Sequence, residues 1–145
     1  MKNMIKIKVR VKLIHPDAKM PFYGSEEAAG FDLYSVEDVT IMAGETKIIK
    51  TGVSLEIQEG YCFQVWDRSG LGAKGIHRFA GLGDSDYRGE YKIVLHNSTQ
   101  KDYEIKKGDR IAQIVPVPIV RADFEQTEKL NETSRGEGGF HSTGQ

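Results

Sequence analysis

A segment in the middle of the chain combines a fixed cation, a hydroxyl and closely spaced glycines. The sequence DRSGLGAKG occupies positions 67–75 and follows a predicted strand. Backbone N–H groups at the start of a short helix, the Ser69 hydroxyl and the Arg68 guanidinium would together bind an anion, with Gly70 in the turn. Arginine suits phosphate because its planar fork donates two parallel hydrogen bonds. The spacing of a Walker A loop is missing, so the alternative is an ordinary structural turn.

A second polar segment concentrates carboxylates, glycines and an aromatic residue in AGLGDSDYRGE at positions 80–90. It predicts a hairpin whose tip faces a ligand, because glycines such as Gly81 let a planar ligand approach backbone N–H and C=O groups. One of the two carboxylates, Asp84 or Asp86, near the Tyr87 ring would accept a proton from water as a general base. The alternative is a plain hairpin in which Asp-Ser-Asp supplies turn residues.

From about Asn131 the chain becomes polar and glycine-rich, which is typical of a mobile tail. The tail nevertheless holds Arg135 for charge, Phe140 for stacking, and the hydroxyls of Ser142 and Thr143 for phosphate oxygens. Its glycines would let it fold over a bound ligand and exclude water. Taken alone, the segment favours disorder.

The other reactive side chains of the sequence form no recognisable site. The four histidines lack zinc-like spacing, and Cys62, as the only cysteine, excludes a disulfide scaffold. The sequence contains no Gly-x-Ser-x-Gly nucleophile elbow. The acidic groups favour instead a hard cation such as Mg²⁺, shared with substrate phosphates.

Length and charge narrow the class of protein further. The chain has 145 residues, 28% of them charged, and a formal net charge of −1. One compact domain is expected, and no direct nucleic-acid binding, since a coating protein would be basic. No apolar run approaches the ~20 residues of a membrane span, and residues 1–10 lack the apolar core of a signal peptide. A lone cysteine suits a reducing compartment, so we expect a cytoplasmic location, in the host cytoplasm if the source is a phage or virus.

The polar segments must be positioned by β-structure, because no long stretch has a 3.6-residue apolar period. Residues 5–13 alternate between aliphatic and cationic side chains, which predicts a half-buried strand whose lysines protect a sheet edge; phosphate binding by these cations is the alternative. Further strands are predicted over residues 36–42, 45–57, 61–66, 91–97 and 110–119.

Breaks and turns in this pattern indicate the architecture. Pro116 and Pro118 predict an edge or crossover strand rather than a central one. Residues 69–74 predict a short helix, and residues 123–130 one or two helical turns. Short strands joined by glycine-rich turns are typical of an all-β sandwich or barrel, with jelly rolls among the options.

Taken in order, these segments resemble the five motifs of the trimeric deoxyuridine triphosphatases (dUTPases), which hydrolyse dUTP to dUMP and pyrophosphate. One such motif alone would be weak, whereas five in register within one short chain are specific. The matching segments are AGFDLYS at 29–35, RSGL at 68–71, GLGDSDYRG at 81–89, GDRIAQ at 108–113 and RGEGGFHSTG at 135–144.

The resemblance implies an all-β fold of the distorted jelly-roll (β-clip) type, assembled as a homotrimer. Residues 1–130 would form the jelly-roll domain, and residues 131–145 a flexible C-terminal arm that closes over a neighbouring active site. In this family one subunit supplies the first, second and fourth motifs to a site. A neighbour supplies the third motif, and the remaining subunit supplies the arm.

The resemblance also assigns catalytic roles to three residues. Asp84 matches the general base that deprotonates the water attacking the α-phosphorus. Asp32 matches the carboxylate that helps to place Mg²⁺ through its water shell, while the triphosphate supplies direct ligands. Gln113 matches the phosphate contact of the fourth motif.

Substrate binding is assigned to the second and third motifs. Arg68, Ser69 and Gly70 match the phosphate-binding turn. Tyr87 is implied to lie against the deoxyribose and to leave no room for a 2′-hydroxyl. The hairpin around Gly81 is implied to recognise uracil through its backbone.

The arm completes the implied site. Arg135, Ser142 and Thr143 would bind the γ-phosphate while Phe140 stacks on the base. Such an enzyme takes dUTP and yields dUMP and pyrophosphate, which limits uracil incorporation into DNA and supplies dUMP for dTMP synthesis.

The sequence departs from the family pattern at three positions. Gly83 stands where an apolar branched residue is usual, and we expect it to loosen the strand that carries Asp84. Asp67 stands where proline or a small residue is commoner, and its charge is expected to weaken the phosphate site. His141 replaces a glycine of the arm.

Two other functions remain open from the sequence. One is a related dCTP deaminase, alone or bifunctional, although the arm and the Ser-Gly-Leu turn resemble those of the hydrolase. The other is a dUTP-gated regulatory binding protein that keeps the pocket, which the absence of a large insertion between motifs disfavours.

Overall fold

The computed structural model describes residues 5–140, and within that range the regular structure is almost entirely β. The single helix, α1 (Ser69–Gly72), has four residues. The strands are β1 (Val9–Leu13), β2 (Phe22–Tyr23), β3 (Phe31–Tyr34), β4 (Val39–Ile41), β5 (Thr46–Ile49), β6 (Val53–Ile57), β7 (Tyr61–Trp66), β8 (Ile76–Phe79), β9 (Leu82–Gly83), β10 (Ile93–Asn97), β11 (Tyr103–Ile105) and β12 (Arg110–Pro118). The all-β prediction is confirmed.

The strands form four antiparallel sheets. The largest has the order β2-β3-β12-β7-β9, and a second has the order β5-β10-β8. The remaining two are the pairs β1-β6 and β11-β4. Because neighbours in these sheets are often distant in the chain, the fold is held by long-range pairing rather than by local turns.

The core is aliphatic and draws on most of the strands. In β6 and β10 buried residues alternate with half-buried ones, as expected for strands with one face on the core. The buried aliphatic residues of the cluster are Leu33, Ile41, Ile49, Val53, Leu55, Ile57, Val65, Ile76, Ile93, Leu95, Ile105, Ile111 and Ile114.

A run of aromatic rings crosses this core. Tyr23 contacts Phe31 with ring centroids 5.7 Å apart, and Phe31 contacts Phe63 at 6.1 Å. Phe63 then contacts Tyr91 at 5.7 Å, and Tyr91 contacts Tyr87 at 5.5 Å. All four pairs are edge-to-face, the arrangement that the charge distribution of aromatic rings favours. The run connects β2 and β3 with the hairpin that follows β9.

The alternating N-terminal segment forms β1, which begins at Val9 rather than at Ile5 and pairs with β6. Val9 and Val11 are half-buried, whereas Arg10 and Lys12 are exposed. The predicted half-buried face is therefore confirmed at Val9 and Val11, whereas Leu13 at the end of β1 is exposed.

The predicted strand over residues 45–57 is divided into β5 and β6 by a left-handed glycine. Gly52 has a φ of +66°, and its carbonyl oxygen accepts a hydrogen bond from the Ile14 N–H at 2.8 Å. A Cβ at this position would lie 2.6 Å from His15 Cβ and 2.9 Å from Ala18 Cβ. Both the backbone conformation and the close packing therefore require glycine at the break.

The proline-containing strand β12 is central in one half and an edge in the other. Its residues 110–114 pair with β3, and its residues 113–118 pair with β7. Pro116 and Pro118 lie in the half that pairs with β7 alone, where a missing N–H is tolerated. The edge-strand prediction is right for that half and wrong for the first half.

The shortest elements differ most from the sequence-based expectations. The predicted helix after β7 is confirmed as α1, but residues 123–130 contain no helical turn. The patterns did not predict β2, β3, β8, β9 or β11, which have two to four residues each. No helix within residues 5–140 has the length and apolar character needed to cross a membrane.

We expect Gly52→Ala to destabilise the protein more than Gly44→Ala, measured as the free energy of unfolding in urea. Gly44 also has a positive φ, of 77°, but a Cβ there would meet nothing within 4 Å. Its substitution therefore costs only the left-handed conformation, about 1–2 kcal/mol. The overlap at Gly52 adds about 1–3 kcal/mol. Equal losses in the two variants would contradict the packing argument.

Candidate active site

The centre of the largest sheet places residues of three predicted motifs side by side. Gln113 on β12 lies opposite Asp32 on β3 and also opposite Trp66 on β7. The Gln113 side-chain amide donates a 2.8 Å hydrogen bond to the backbone oxygen of Asp67. Because Arg68 comes next in the chain, the predicted phosphate-binding turn begins beside this row.

Two guanidinium groups surround the one carboxylate of this row. Arg68 Nε lies 2.9 Å from Asp32 Oδ1, and an Arg110 terminal nitrogen lies 3.5 Å from Asp32 Oδ2. Asp32 is only 7% exposed, and the two arginines pair with this buried carboxylate. Two cations against one anion leave a net positive charge, which suits an anionic ligand.

Arg68 forms an ion pair with Asp32 through its guanidinium, in which Nε lies 2.9 Å from Asp32 Oδ1. Within residues 5–140 the terminal nitrogens of Arg68 donate no hydrogen bond to the protein. Arginine presents five N–H donors in a fixed fork, so the pair with Asp32 orients the remaining donors. Ser69 and Gly70, at the start of α1, are exposed beside it.

The structure adds Arg110 and Tyr34 to this group, which the sequence analysis missed. Burial, followed by the nearby charge of Asp32, raises the pKa of Tyr34, while Arg110 and Arg68 act in the opposite sense. A signal was available for both residues. Tyr34 follows Asp32 by two positions, which in a strand places both on one face, and Arg110 lies within the fourth motif.

Asp67 has a clear structural partner in β8. Its Oδ1 accepts a 2.6 Å hydrogen bond from the Arg78 backbone N–H, and its Oδ2 lies 3.5 Å from His77 Nδ1. With its backbone oxygen bound to Gln113, Asp67 joins β12, β8 and the start of the turn. The sequence pattern indicates only the charge of Asp67 and gives no sign of this anchoring role.

The predicted hairpin lies at the other end of β7. Gly83 pairs with Phe63, and Asp84 follows it, whereas Arg68 lies beyond Trp66. Phe63 and Trp66 are three residues apart, about 10 Å along a strand. One chain therefore does not bring Asp84 together with Asp32 and Gln113.

The immediate surroundings of Asp84 belong to the hairpin and to β7. Asp84 is exposed, and its backbone oxygen accepts a 3.2 Å hydrogen bond from the Tyr87 N–H. Burial raises the pKa of the Cys62 thiol, and the charge of Asp84 adds to this effect. Upstream, the Gly81 backbone oxygen accepts a 2.7 Å hydrogen bond from Val65 N–H, so the segment predicted to recognise uracil is joined to β7.

The expected loosening at Gly83 is wrong, because an aromatic ring fills the space of the missing side chain. Gly83 is buried, and a Cβ there would lie 2.5 Å from the Tyr91 hydroxyl oxygen and 2.8 Å from its Cε1. Burial, followed by the charges of Tyr87 and Asp84, raises the pKa of Tyr91 to about 12. The strand before Asp84 is therefore tightly packed.

The C-terminal segment lies apart from both groups. Every residue from 118 to 137 is exposed. Arg135 Nε donates a 2.8 Å hydrogen bond to the Gly138 oxygen, and Phe140 is fully exposed. Ser142 and Thr143, like His141, lie outside the described residues. The structure therefore does not bring the arm residues to the rest of the predicted site.

The acidic side chains do not form a resident metal cage. Within residues 5–140 no three His, Cys, Asp or Glu side chains are grouped so as to hold a metal ion. Asp32 forms ion pairs with two arginines, but a carboxylate has about four lone-pair sites. The donor set therefore fits a cation that arrives with phosphates and contacts the protein through water, the usual manner of Mg²⁺.

Comparison with known proteins identifies the family of this chain. Residues 16–144 match the dUTPase family. The chain belongs to the dUTPase family. A deoxyuridine 5′-triphosphate nucleotidohydrolase of Nautilia profundicola is 48% identical, over 95% of this chain and 99% of the relative. One from Candida albicans is 50% identical, over 94% of this chain and 87% of the relative.

Solved dUTPase structures share the fold. A variant of the Staphylococcus bacteriophage 80alpha dUTPase with dUpNHpp has a TM-score of 0.88 at 31% identity, covering 94% of this chain and 98% of that one. A variant of the phage phi11 dUTPase, described as revealing the coordination of a structural Mg(II) ion, has a TM-score of 0.81 at 28% identity, covering 86% and 99%. These likenesses confirm the predicted all-β jelly-roll class.

We expect Asp67→Ala to lower the free energy of unfolding by about 1–2 kcal/mol, because the Arg78 N–H loses its acceptor. Asp67→Asn keeps an oxygen acceptor and should cost less. Asp123→Ala, in the exposed segment, is the matched control and should change stability little. Urea unfolding measures all three variants, and an Asp67→Ala loss no larger than that of the control would contradict the anchoring role.

Proposed function

We propose that this protein hydrolyses dUTP to dUMP and pyrophosphate. Membership of the dUTPase family supports this activity, and one observation within the chain carries it. Asp32, Arg68 and Gln113, which come from three separate motifs, are brought to one place by the two registers of β12. That place holds excess positive charge and oriented donors, as a triphosphate requires.

Binding of the triphosphate begins with Arg68. Because Asp32 holds its Nε, the terminal N–H groups are oriented toward incoming phosphate oxygens at little entropic cost. Ser69 and Gly70 add a hydroxyl and a backbone N–H in the adjoining turn, and Gln113 adds an amide. Arg110 contributes charge from the other side of Asp32.

The attacking group is water, so the protein's tasks are in-line positioning and charge neutralisation. Asp84 accepts the proton from this water as it attacks the α-phosphorus. Its exposed position at the end of β9 leaves it accessible to a ligand bound on another copy. Pyrophosphate is the leaving group.

A homotrimer with shared sites reconciles this role with the geometry. Gly83 pairs with Phe63, about 10 Å along β7 from Trp66, and the turn begins beyond Trp66, so a neighbouring copy supplies Asp84. Residues 1–130 act as the jelly-roll domain, and residues 131–145 act as the arm.

When extended, the exposed segment from Pro118 to Phe140 spans up to about 70 Å, which suffices to reach another copy. There Arg135, Ser142 and Thr143 bind the γ-phosphate, and Phe140 stacks on uracil.

Magnesium enters as part of the substrate. Mg²⁺ bound by the triphosphate would offset phosphate charge, and Asp32 is the side chain that would contact its water shell. The protein's own contribution is the arrangement of Asp32 between two arginines.

Selection of the nucleotide rests on the hairpin. The backbone around Gly81 recognises the edge of uracil and leaves no volume for a 5-methyl group, while Tyr87 lies against the deoxyribose. Polar backbone left unpaired by cytosine disfavours dCTP. The reaction limits uracil incorporation into DNA and supplies dUMP for dTMP synthesis.

The proposed activity predicts Mg²⁺-dependent pyrophosphate release from dUTP, with much slower release from dCTP, dTTP and UTP. A coupled pyrophosphate assay measures all four nucleotides, and EDTA should abolish the signal. Comparable turnover of all four would sink the specificity. Ammonia release from dCTP would favour the deaminase instead, and tight dUTP binding without turnover would favour a regulatory binding protein.

Asp84→Asn should lower kcat by about 10²–10⁴-fold, since the variant lacks the proton acceptor. Binding of the non-hydrolysable analogue dUpNHpp should be retained, which calorimetry measures. Asp86→Asn, which changes an exposed carboxylate of the same hairpin, is the matched control and should remain active. Near-normal turnover of the Asp84 variant would remove Asp84 as the base.

A further inference from the structure

Glycine is required at position 83 because the Tyr91 ring occupies the space of a side chain there. Gly83 does not have a positive φ, so its backbone conformation does not itself require glycine. The constraint is instead the Tyr91 ring, whose hydroxyl oxygen, Cε1 and Cζ would lie 2.5, 2.8 and 3.0 Å from a Cβ. The ring therefore rests directly on the backbone that leads into Asp84.

Tyr91 itself is held firmly. Tyr91 is 6% exposed. Its backbone N–H donates a 2.8 Å hydrogen bond to the Val53 backbone oxygen, and its backbone oxygen accepts a 2.6 Å hydrogen bond from the buried Thr51 hydroxyl. One side of its ring meets Phe63 edge-to-face, with an interplanar angle of 89°. Tyr91 is thus a fixed part of the core rather than a mobile surface residue.

The Tyr91 ring also contacts Tyr87. The two centroids are 5.5 Å apart with an interplanar angle of 72°. The Tyr87 hydroxyl donates a 3.0 Å hydrogen bond to the Glu90 backbone oxygen. A Cβ on Gly89 would lie only 2.5 Å from Tyr87 Cζ. Two glycines thus make room for two rings, and Tyr91 supports Tyr87 from the core side.

The Tyr91 hydroxyl fills space in the core and makes no hydrogen bond to the described residues. It is buried and has no hydrogen-bond partner within residues 5–140. An unpartnered buried hydroxyl is unfavourable. The close contact that the Tyr91 hydroxyl makes is a van der Waals contact with Gly83.

We propose that Tyr91 is a positioning residue that holds the Tyr87 ring in place and thereby sets the preference for deoxyribose over ribose. The inference rests on the proposed function, in which Tyr87 lies against the sugar. Tyr91 acts through Tyr87 and touches no substrate. Its removal lets the Tyr87 ring move toward the core and opens space for a 2′-hydroxyl.

The test is the ratio of kcat/KM for dUTP to kcat/KM for UTP. Tyr91→Leu should lower this ratio about tenfold, the effect of losing one well-placed group in a specificity pocket. Tyr91→Phe keeps the ring and should keep the ratio. Tyr103→Leu, in which the lost ring belongs to β11 and also packs against the core, controls for general destabilisation and should leave the ratio unchanged.

A double substitution distinguishes positioning from folding. In a Tyr87→Ala background, Tyr91→Leu should have no further effect on the ratio, because the effect passes through Tyr87. A further fall in that background would overturn the proposal.

The two proposals fail in different ways. If the unaltered protein releases no pyrophosphate from dUTP, the proposed function falls and this inference falls with it. If the unaltered protein is active and selective but Tyr91→Leu keeps its ratio, only the role of Tyr91 is overturned.

Discussion

Strand β12 is hydrogen-bonded to β3 on one side and β7 on the other, and Gln113 is a point where both ladders meet. This double pairing places Asp32, Gln113 and Trp66 in one row across the sheet. A slip of one residue in either ladder would turn the side chains of that strand to the opposite face. The amide of Gln113 then carries the same register into the turn through the Asp67 oxygen. The position of the proposed phosphate-binding turn therefore depends on backbone pairing across three strands that are far apart in the chain.

The charges at this row follow from the same constraint. Asp32 is almost buried, and an unpaired carboxylate would be costly there, so its ion pairs with Arg68 and Arg110 compensate for its burial. In return, the carboxylate fixes the direction of the Arg68 guanidinium before any ligand arrives. Electrostatic preorganisation of this kind is the form of catalysis best suited to phosphoryl transfer. At the other end of β7 the edge-to-face aromatic run ends at Tyr87, so packing orders the hairpin as ion pairing orders the turn.

Sequence patterns predicted strands well where a strand has one buried face and sufficient length. Residues 61–66 form β7 as predicted, and residues 93–97 form β10 within the predicted range. Patterns failed for β9, whose two residues cannot show a period, and for β3, where Asp32 interrupts an otherwise apolar run. Asp32 is buried because its charge is paired across the sheet, and such pairing cannot be inferred from neighbouring residues. For the same reason the anchoring of Asp67 and the place of Arg110 beside Asp32 were missed.

The sequence by itself determined the all-β class, the family resemblance and the residue types available for chemistry, because these depend on composition, alternation and local motifs. Only the tertiary structure decided which of these residues meet. It joined Asp32, Arg68 and Gln113 on one chain and separated Asp84 from them along β7. It also showed that Gly83, which the sequence predicts to loosen its strand, is tightly packed against the Tyr91 ring. The physical reason is that register and side-chain volume act between segments distant in sequence, so no local pattern records them.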